Sequence, residues 1–559
     1  MTQQYHSKKL QTIIPGRSKF YTMIYSRIFF SVLLCYTAGI SQDYPSWTSG
    51  GELSALQAAY DVSAYGIHLK IDPAARYLSG YVDILLQPVS PPLKEIELDL
   101  IKTYTVQSVA INGHPTGYVR NQDKIFIMVP PDIPDATVLT MRVDYEGKPP
   151  EAKNPPWDGG FIWSEDQNGT PWVGVSCQGE GAKIWWPCKD HPSDEPDSVN
   201  LFFTIPAALT CASNGILVGV RPAEQGWKTW HWKTRYPINN YSITVNIADY
   251  VVHQRRYPGK HDMDMVFYVL REDEPGADAL LLEAENMLSF FSRHFGEYPW
   301  IKEKFGLAQS SYYGMEHQTI NSYGNHYRKT DKGYDFLLFH EMAHEWWGNY
   351  LTAADWADFW LHEGTAIYAE ALYVEDLFGP QAYFDFFRNQ RSKIQNIQPI
   401  IPKRNATTNE VYSNDIYYKG ASLLHMLRFI IGKTALDSLL YRTVQEDKGR
   451  PYNQILADDF IALAQGYSSY DLTPFFQRYL YRSEIPVLKV EKKRSFFKMS
   501  LTLKWIGGNL SLPVEIGIGK EDEPDYRIIS VSNAGTTVTF SGWPRITIDP
   551  HGWLLADIR

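Results

Sequence analysis

The hydrophobic period of the chain changes twice, and this constrains the fold more than any other feature. From residue 65 to about residue 252, apolar and polar residues alternate in short runs, the pattern of half-buried strands. From about 277 to 481 the apolar residues recur at helical spacing, and from 487 onward alternation returns. The sequence therefore predicts an α+β multidomain protein with β, mainly α and β regions in that order.

These changes divide the 559 residues, too many for one hydrophobic core, into three predicted domains after a leader. The leader is assigned to 1–41, a mostly antiparallel N-terminal β domain to 42–252, a mainly α domain to 253–482 and a small β-sandwich to 483–559. The clearest strands are predicted at Tyr65–Ile71, Tyr81–Leu86, Lys124–Val129 and Val138–Val143. The clearest helices are predicted at 277–295, 333–348, 360–377, 420–431 and 453–465.

The N-terminus has the order of a secretory signal. Basic residues precede a short apolar run, Ile28–Tyr36, which small residues follow. The run is too short to span a bilayer, and no other segment reaches that length, so no stable membrane insertion is expected after signal removal. A membrane anchor or an unstructured leader is the alternative. We expect an exported protein, periplasmic or extracellular.

Charge and cysteine content exclude some classes of protein. The formal net charge of −10 argues against nucleic acid or an anionic membrane as a partner, because both need a basic face. Beyond the predicted signal the chain has three cysteines, Cys177, Cys188 and Cys211, without a C-x-x-C pair. They predict neither a disulfide framework nor a cysteine zinc site, and at most one disulfide.

A metal site is predicted in the stretch FLLFHEMAHEWWGNYL, residues 336–351. His340 and His344 are four residues apart, so on a helix their imidazoles share one face and can hold one zinc ion. Glu341 projects beside them and can take a proton from water that the metal activates. The alternative is a buried helix with locally hydrogen-bonded histidines, but burying these polar groups without a partner is costly.

A catalytic zinc needs a third protein ligand and one open position. The pattern H-E-x-x-H-x-x-G-x-x-H is excluded, because Trp347 and Tyr350 stand at its glycine and third histidine. A second predicted helix, Trp360–Tyr373, carries Glu363 in its first turn, where a carboxylate can return over the first helix. Glu345 is expected to face away from the metal, and Glu370 suits a supporting role better.

The sequence resembles the aminopeptidase N and leukotriene hydrolase family of zinc metallopeptidases, which have a thermolysin-like catalytic domain. HEMAHEWWGN resembles the family's zinc helix and LHEGTA its third-ligand segment, with the family's 18 residues between His344 and Glu363. The resemblance covers nearly all of the chain after the leader. It implies one zinc ion on His340, His344 and Glu363, with Glu341 as general base.

SYYGMEHQTI, residues 311–320, resembles the family's G-x-M-E-N motif, whose glutamate binds the α-amine of the substrate. The resemblance gives this role to Glu316 and places Gly314 and Met315 in the substrate site. A carboxylate at the closed end of a cleft can pair with an ammonium group. Tyr313 and His317 replace the motif's first glycine and its asparagine.

Two further segments complete the resemblance. SCQGEGAKIWWPCKD, residues 176–190, resembles the segment that lines the cleft from the N-terminal domain and selects Gln178 as a second amine-binding residue, with Glu180 nearby. VYSNDIYYKG, residues 411–420, resembles the Y-x-K-G segment and selects Tyr417 to stabilise the oxyanion of the transition state. Tyr412 matches a second cleft tyrosine.

The resemblance implies a zinc aminopeptidase that acts on peptides with a free N-terminus. Alternatives are a zinc endopeptidase or epoxide hydrolase on the same site, and an inactive peptide-binding protein. Glu316 and Gln178 would close the cleft against general endopeptidase action. The further C-terminal helical domain of larger relatives has no counterpart in this sequence, which makes epoxide hydrolysis less expected. The preferred N-terminal residue, the oligomeric state and the physiological substrate stay open.

Overall fold

Alternating burial in β1 shows how the N-terminal strands form. Val62, Ile67, Leu69 and Ile71 are buried there, with more exposed side chains between them. The strands of this region are β1 (Tyr60–Asp72), β2 (Tyr77–Pro88), β3 (Glu95–Asp99), β4 (Thr105–Ile111), β5 (His114–Pro115), β6 (Tyr118–Asn121), β7 (Lys124–Met128), β8 (Leu139–Gly147), β9 (Gly160–Glu165), β10 (Pro171–Ser176), β11 (Ser198–Pro206), β12 (Thr210–Ser213), β13 (Ile216–Pro222), β14 (Trp227–Lys233) and β15 (Val245–Ala248). The predicted β domain is thus present.

Three sheets build this N-terminal region. The largest has the order β13-β14-β11-β1-β2-β8-β4-β5, in which only β1 and β11 are parallel. The other two have the orders β12-β15-β10-β9 and β3-β7-β6, and their pairs are antiparallel. The segment that carries Gln178 follows β10 directly, so this sheet fixes where that segment starts.

A mixed five-stranded sheet supports the helical region. It consists of β16 (Tyr250–Pro258), β17 (Asp262–Leu270), β18 (Lys304–Gln309), β19 (Gly314–Met315) and β20 (Asn321–Tyr323), in the order β16-β17-β18-β20-β19. The edge strand β19 pairs antiparallel with β20 through Gly314–Tyr323 and Met315–Ser322. The G-M-E segment therefore lies on the open edge of the sheet.

Helices pack around this sheet. They are α1 (Ala277–Phe295), α2 (Phe336–Ala343), α3 (Trp360–Phe378), α4 (Pro380–Arg391), α5 (Thr408–Val411), α6 (Asn414–Ile431), α7 (Lys433–Gln445), α8 (Ala457–Gln465) and α9 (Thr473–Leu480). In α1 the buried residues recur at helical spacing, and the helix ends at Gly296 with φ 99°. Its bounds match the predicted ones.

Three helices differ from their predicted bounds by several residues, and one of them, α8, starts at Ala457 instead of residue 453. The α2 helix starts at Phe336 because the Asp335 side chain accepts a hydrogen bond from the Leu338 amide at 3.1 Å and caps it. It ends at Ala343, five residues earlier than predicted, but His344 keeps helical angles (φ −67°, ψ −18°), so the two histidines still share a face. The α6 helix starts at Asn414, earlier than predicted, and so includes Tyr417.

Helices α3 and α6 cross at two glycines. A Cβ atom on Gly364 would lie 2.9 Å from the Gly420 Cα, and one on Gly420 would lie 3.1 Å from the Gly364 Cα. No side chain separates the two backbones at this point. The crossing therefore fixes Glu363, next to Gly364, relative to Tyr417, three residues before Gly420.

The C-terminal region forms two facing sheets, as predicted for a small sandwich. Their orders are β25-β22-β21-β27 and β24-β23-β26. The strands are β21 (Val487–Ser495), β22 (Lys498–Ile506), β23 (Ser511–Gly519), β24 (Pro524–Ser532), β25 (Thr536–Ser541), β26 (Ile546–Ile548) and β27 (Asp557–Ile558). His425 of α6 contacts this region, with Nε2 3.2 Å from the Gly552 carbonyl oxygen.

The computed structural model describes residues 47–134, 137–259, 261–446, 451–520 and 524–559, and Trp47–Arg559 form one compact unit. The predicted leader lies outside these residues. Within the described ranges no helix combines the length and the apolar character needed to cross a bilayer. Cys177, Cys188 and Cys211 are buried and free, so they act as packing residues.

The first described residues form a strap, Thr48–Gly51, between the N-terminal and catalytic regions. Ser49 donates from its amide to the Gly179 carbonyl at 3.0 Å and accepts from the Thr408 amide at 3.1 Å. Gly51 donates to the Ala406 carbonyl at 3.1 Å. Thr408 also donates through Oγ1 to Gly179. The strap thus joins the segment of Gln178 to the start of α5.

Candidate active site

Three ligand atoms from two helices converge at one point. Nε2 of His340 lies 3.3 Å from Nε2 of His344, and these atoms lie 3.5 and 3.4 Å from one carboxylate oxygen of Glu363. His344 and Glu363 are 1% and 2% exposed. These three residues alone form a group of at least three potential metal ligands within the described part of the chain.

The geometry of this group fits a zinc ion. Zn–N and Zn–O bonds of about 2.0–2.1 Å at tetrahedral angles place the ligand atoms roughly 3.3–3.4 Å apart. The His344 Nδ1 atom is 3.0 Å from the Trp347 carbonyl and donates to it, so its Nε2 carries a lone pair. A buried carboxylate oxygen then faces imidazole lone pairs, and a cation satisfies all of them.

Glu341 lies beside the ligands and under the edge strand. It is 7% exposed, and a Cβ atom on Gly314 would come within 2.4 Å of its Oε1. Burial, together with the charge of Glu316, raises the pKa of Glu341 well above its ordinary value. Glycine at 314 thus leaves the space that the Glu341 carboxylate occupies.

Glu345 points away from the ligands, as expected. Its carboxylate accepts hydrogen bonds from the Trp300 indole at 2.8 Å, from the Thr319 amide at 3.1 Å and from Asn321 at 3.1 Å. Glu370, expected to support the site, instead accepts from the Tyr334 hydroxyl. Glu345 therefore stabilises the segment after Glu316, while Glu370 has a partner outside the ligand group.

Glu316 lies at the end of the site next to the N-terminal region. Its Oε1 accepts hydrogen bonds from Gln178 Nε2 and from the Tyr241 hydroxyl, the latter at 3.1 Å. Burial raises the pKa of Glu316, while the nearby His344 lowers it. The structure thus places Gln178 and Glu316 together, as the resemblance implied. Glu180 is part-buried nearby in the chain and touches Gly159.

Two neighbours of Glu316 were not identified from the sequence. Tyr241 comes from the turn before β15, which carries no recognisable pattern, so no signal pointed to it. Asn349 donates through Nδ2 to the Glu316 carbonyl at 2.9 Å. It stands in the WWGN stretch after His344, and this position in the zinc-helix motif was the signal that could have found it.

The residues that depart from the G-x-M-E-N motif lie in different surroundings. Met315, which matches the motif, is 5% exposed. His317, which replaces the asparagine, is fully buried, and its Nδ1 atom lies 3.1 Å from Ser322 Oγ. Burial lowers the pKa of His317 to about 3, so this histidine is neutral. Tyr313 is 42% exposed. His317 thus packs below the site, whereas Tyr313 is open to solvent beside Gly314.

Tyr417 lies beside His340, and Tyr412 lies beside Tyr417. The Tyr417 ring stacks on the His340 ring at 6.2 Å between centroids, and its hydroxyl is 3.0 Å from that of Tyr412. Burial raises the pKa of Tyr417 well above its ordinary value, so its hydroxyl stays a proton donor. Tyr412 is 43% exposed. The site thus has a carboxylate end, formed by Glu316, and a phenol side, formed by Tyr417 and Tyr412.

Comparison with protein families gives two matches in the same order along the chain. The peptidase M1 N-terminal domain matches residues 60–241, and the peptidase family M1 domain matches residues 281–479. Together these two models cover most of the N-terminal β region and the helical region with the three ligands.

Curated relatives are distant and longer. Aminopeptidase N of Lactococcus lactis subsp. lactis is 21% identical over 84% of this chain and 58% of its own length. Leukotriene A-4 hydrolase of Xenopus laevis is 22% identical over 67% of this chain and 63% of its own length. The chain therefore spans about 60% of the length of these two relatives.

Solved structures share the fold. An M1 zinc metallopeptidase of Deinococcus radiodurans, bound to a Tyr-Ser-Ala substrate, aligns with a TM-score of 0.64 and 22% identity over 79% of this chain and 97% of that one. Legionella pneumophila aminopeptidase A, in complex with aspartic acid, aligns with a TM-score of 0.74 and 18% identity over 92% of this chain and 61% of that one. The domain order, the ligand group and the two family matches agree: the chain belongs to peptidase family M1.

Proposed function

We propose that this protein is a zinc-dependent aminopeptidase that hydrolyses the first peptide bond of peptides with a free N-terminus. The observation that best supports this proposal is the buried group of Glu316, Gln178 and Tyr241 at the end of the ligand site. The Glu341 carboxylate, the proposed proton acceptor, lies against Gly314, two residues before Glu316 in the same segment. An α-amine held there has its first peptide bond next to the metal ligands.

His340, His344 and Glu363 would hold the zinc ion. When bound, zinc polarises the carbonyl of the first peptide bond and lowers the pKa of a water molecule. Glu341 accepts the proton of the attacking water and returns a proton to the leaving amine. Tyr417 keeps its proton and donates a hydrogen bond to the oxyanion that develops in the transition state.

Electrostatics favours an α-amine at the closed end. Glu316 carries the charge there, and Gln178 and Tyr241 are neutral groups that hold its carboxylate in place. An ammonium group gains a charge-assisted hydrogen bond from Glu316, whereas an acetylated amine offers no positive charge. Endopeptidase action would require a chain to continue past these buried groups.

A comparison of one peptide with its N-acetylated twin tests the proposal. We expect stepwise release of N-terminal residues from the free peptide and no cleavage of the acetylated one. The Glu341→Gln variant serves as the control, because it keeps the ligand set and should contain zinc but lose nearly all turnover. Equal cleavage of both peptides would establish an endopeptidase. A parent protein that contains zinc but cleaves no peptide would instead be a binding protein.

Export is part of the proposal and has support from the leader sequence alone. The basic, apolar and small-residue order of residues 8–41 supports secretion to a periplasmic or extracellular space. N-terminal sequencing of the protein recovered from its native cells tests this. A mature chain starting near residue 42 would agree with export, and an intact leader would contradict it.

A further inference from the structure

One end of the C-terminal sandwich exposes three large aromatic side chains, here called the aromatic tip. Phe496 and Phe497 form the turn between β21 and β22 and are 89% and 77% exposed. Trp543, in the connection from β25 to β26, is 58% exposed. Single exposed apolar residues are ordinary on protein surfaces, but large aromatic ones grouped at one point mark an interaction site.

Backbone contacts hold the aromatic tip together. The last pair of the hairpin, Ser495 and Lys498, closes the two-residue turn. The Gly542 amide donates to the Phe497 carbonyl at 2.6 Å, and the Trp543 indole donates to the Ser495 carbonyl at 3.2 Å. The turn and the connection that carry the three rings are thus tied to each other by hydrogen bonds, so binding would cost little ordering.

Positive charge surrounds the aromatic tip. Lys492, Lys493 and Arg494 precede it on β21 and Lys498 follows it on β22, and all four are exposed. Glu491, the neighbouring acid on β21, forms an ion pair with Lys489 at 2.8 Å. This cluster contrasts with the formal net charge of −10 of the whole chain. The aromatic tip therefore combines exposed apolar rings with four neighbouring basic side chains.

We propose that the aromatic tip docks the protein on an anionic lipid surface. Aromatic rings partition into the boundary between headgroups and acyl chains, while lysine and arginine side chains are attracted to anionic headgroups. Both chemistries are present here at one end of the hairpin of β21 and β22. The attachment is peripheral and reversible, because three rings and four charges form a small contact compared with a spanning helix.

The charge pattern selects a lipid surface over a second copy of the chain. Two copies that met tip to tip would bring two sets of Lys492, Lys493, Arg494 and Lys498 together, and like charges repel. An anionic bilayer instead offers negative charge around an apolar interior. The inference is independent of the proposed peptidase activity, since no residue of the tip belongs to the site.

Sedimentation with lipid vesicles tests the inference. We expect the full chain to sediment with vesicles of phosphatidylcholine and phosphatidylglycerol at low salt, and to bind phosphatidylcholine vesicles at least tenfold more weakly. High salt should weaken binding to the anionic vesicles. Glu521, Asp522 and Glu523, between β23 and β24, lie outside the described residues, so vesicles of both compositions are needed to measure the net effect of charge.

Matched variants separate the contribution of the aromatic rings to vesicle binding from that of the basic side chains. The double variant Phe496→Ser, Phe497→Ser and the double variant Lys493→Glu, Arg494→Glu should each lose most vesicle binding. Val119→Ser removes an exposed apolar side chain elsewhere, and Lys94→Glu with Lys102→Glu makes the same change in net charge elsewhere; both should bind like the parent. Thermal unfolding confirms that each variant is folded.

Three results would overturn the inference. They are absence of binding to anionic vesicles, vesicle binding that survives both tip variants, and parent self-association that the phenylalanine variants abolish. The last result would make the tip a contact between copies. None of these readouts uses peptide hydrolysis, so a failure here is distinct from a failure of the proposed enzymatic function.

Discussion

At the scale of single residues, the phenol side of the site contains two tyrosines with different surroundings. Tyr417 stacks on His340, whereas Tyr412 is 43% exposed and contacts the site through the Tyr417 hydroxyl. Only Tyr417 is thus placed to donate to charge that develops beside the metal ligands. The two hydroxyls should contribute unequally to turnover.

Replacing Tyr417 with phenylalanine removes that donor and keeps the ring. We expect kcat to fall by about a hundredfold to a thousandfold with little change in KM, because the lost hydrogen bond forms mainly in the transition state. Steady-state kinetics on one peptide measures this, with Tyr412→Phe as the matched control and a much smaller loss expected. A raised KM at unchanged kcat would instead assign Tyr417 to substrate binding.

Tyr241 should act on binding rather than turnover. Tyr241→Phe removes the hydroxyl that donates to Glu316 at 3.1 Å, so the carboxylate is less firmly held at the proposed amine-binding position. We expect KM for peptides with free amines to rise by about tenfold with kcat nearly unchanged. Tyr118→Phe, whose hydroxyl donates to the Val106 carbonyl, is the control. A loss confined to kcat would contradict this role.

A functional residue can be predicted from sequence when the pattern that reveals it lies within a short stretch of the chain. His340 and His344 could be recognised because helical spacing alone puts them on one face, and Glu363 because a second helix follows at a suitable distance. Tyr241 could not be recognised, since it reaches Glu316 across 75 residues of sequence and its own segment has no periodic pattern. Long-range partners of this kind require the tertiary fold.

At the scale of elements, the crossing of α3 and α6 links the metal ligand Glu363 to the phenol of Tyr417. The backbones touch at Gly364 and Gly420: a Cβ atom on Gly364 would lie 2.9 Å from the Gly420 backbone, and one on Gly420 would lie 3.1 Å from the Gly364 Cα. Sequence analysis identified both helices but not this contact, because a glycine inside a helical pattern does not reveal its neighbour. It also placed the start of α6 too late, after the two tyrosines.

Gly364→Ala should therefore damage both stability and metal binding. The new Cβ atom would lie 2.9 Å from backbone atoms of Gly420, so one helix must move. We expect a loss of about 1–3 kcal/mol in the free energy of unfolding from overpacking, although alanine adds up to ~1 kcal/mol in helix propensity. Chemical denaturation and zinc content measure the two effects.

Gly219→Ala is the control for this prediction, because a Cβ atom there has no neighbour within 4 Å. It should leave the unfolding midpoint and the zinc content close to those of the parent. If Gly364→Ala kept full stability and full zinc content, the helix crossing would be looser than the backbone contacts imply.

At the scale of the whole molecule, buried neutral histidines make the fold sensitive to acid. His425 is 3% exposed and lies where α6 meets the C-terminal region, stacked on Trp553 at 4.7 Å. Burial lowers the pKa of His425 to about 3. Between about pH 6.5 and that value the unfolded chain binds a proton that the folded protein does not, so stability falls as pH falls.

Replacing His425 with glutamine should make the free energy of unfolding less dependent on pH. One such group costs about 1.4 kcal/mol per pH unit below pH 6.5, so from pH 7.5 to 5 the variant should lose about 2 kcal/mol less than the parent. It should also be less stable at pH 7.5, because the stacked ring is lost. Urea unfolding at the two pH values measures this, with the exposed His114→Gln as control. Parallel curves for parent and variant would contradict it.

The strap at Thr48–Gly51 has a consequence for how wide the substrate cleft can open. Backbone hydrogen bonds of the strap, and one bond from Thr408 Oγ1, connect Gly179, beside Gln178, to Thr408, four residues before Tyr412. The two walls are thereby tied across more than 200 residues of intervening chain, as Thr408 and Gly179 are separated by 229 positions. Under the proposed function, the strap limits how far these two segments can separate, and therefore the size of the N-terminal residue that fits between them.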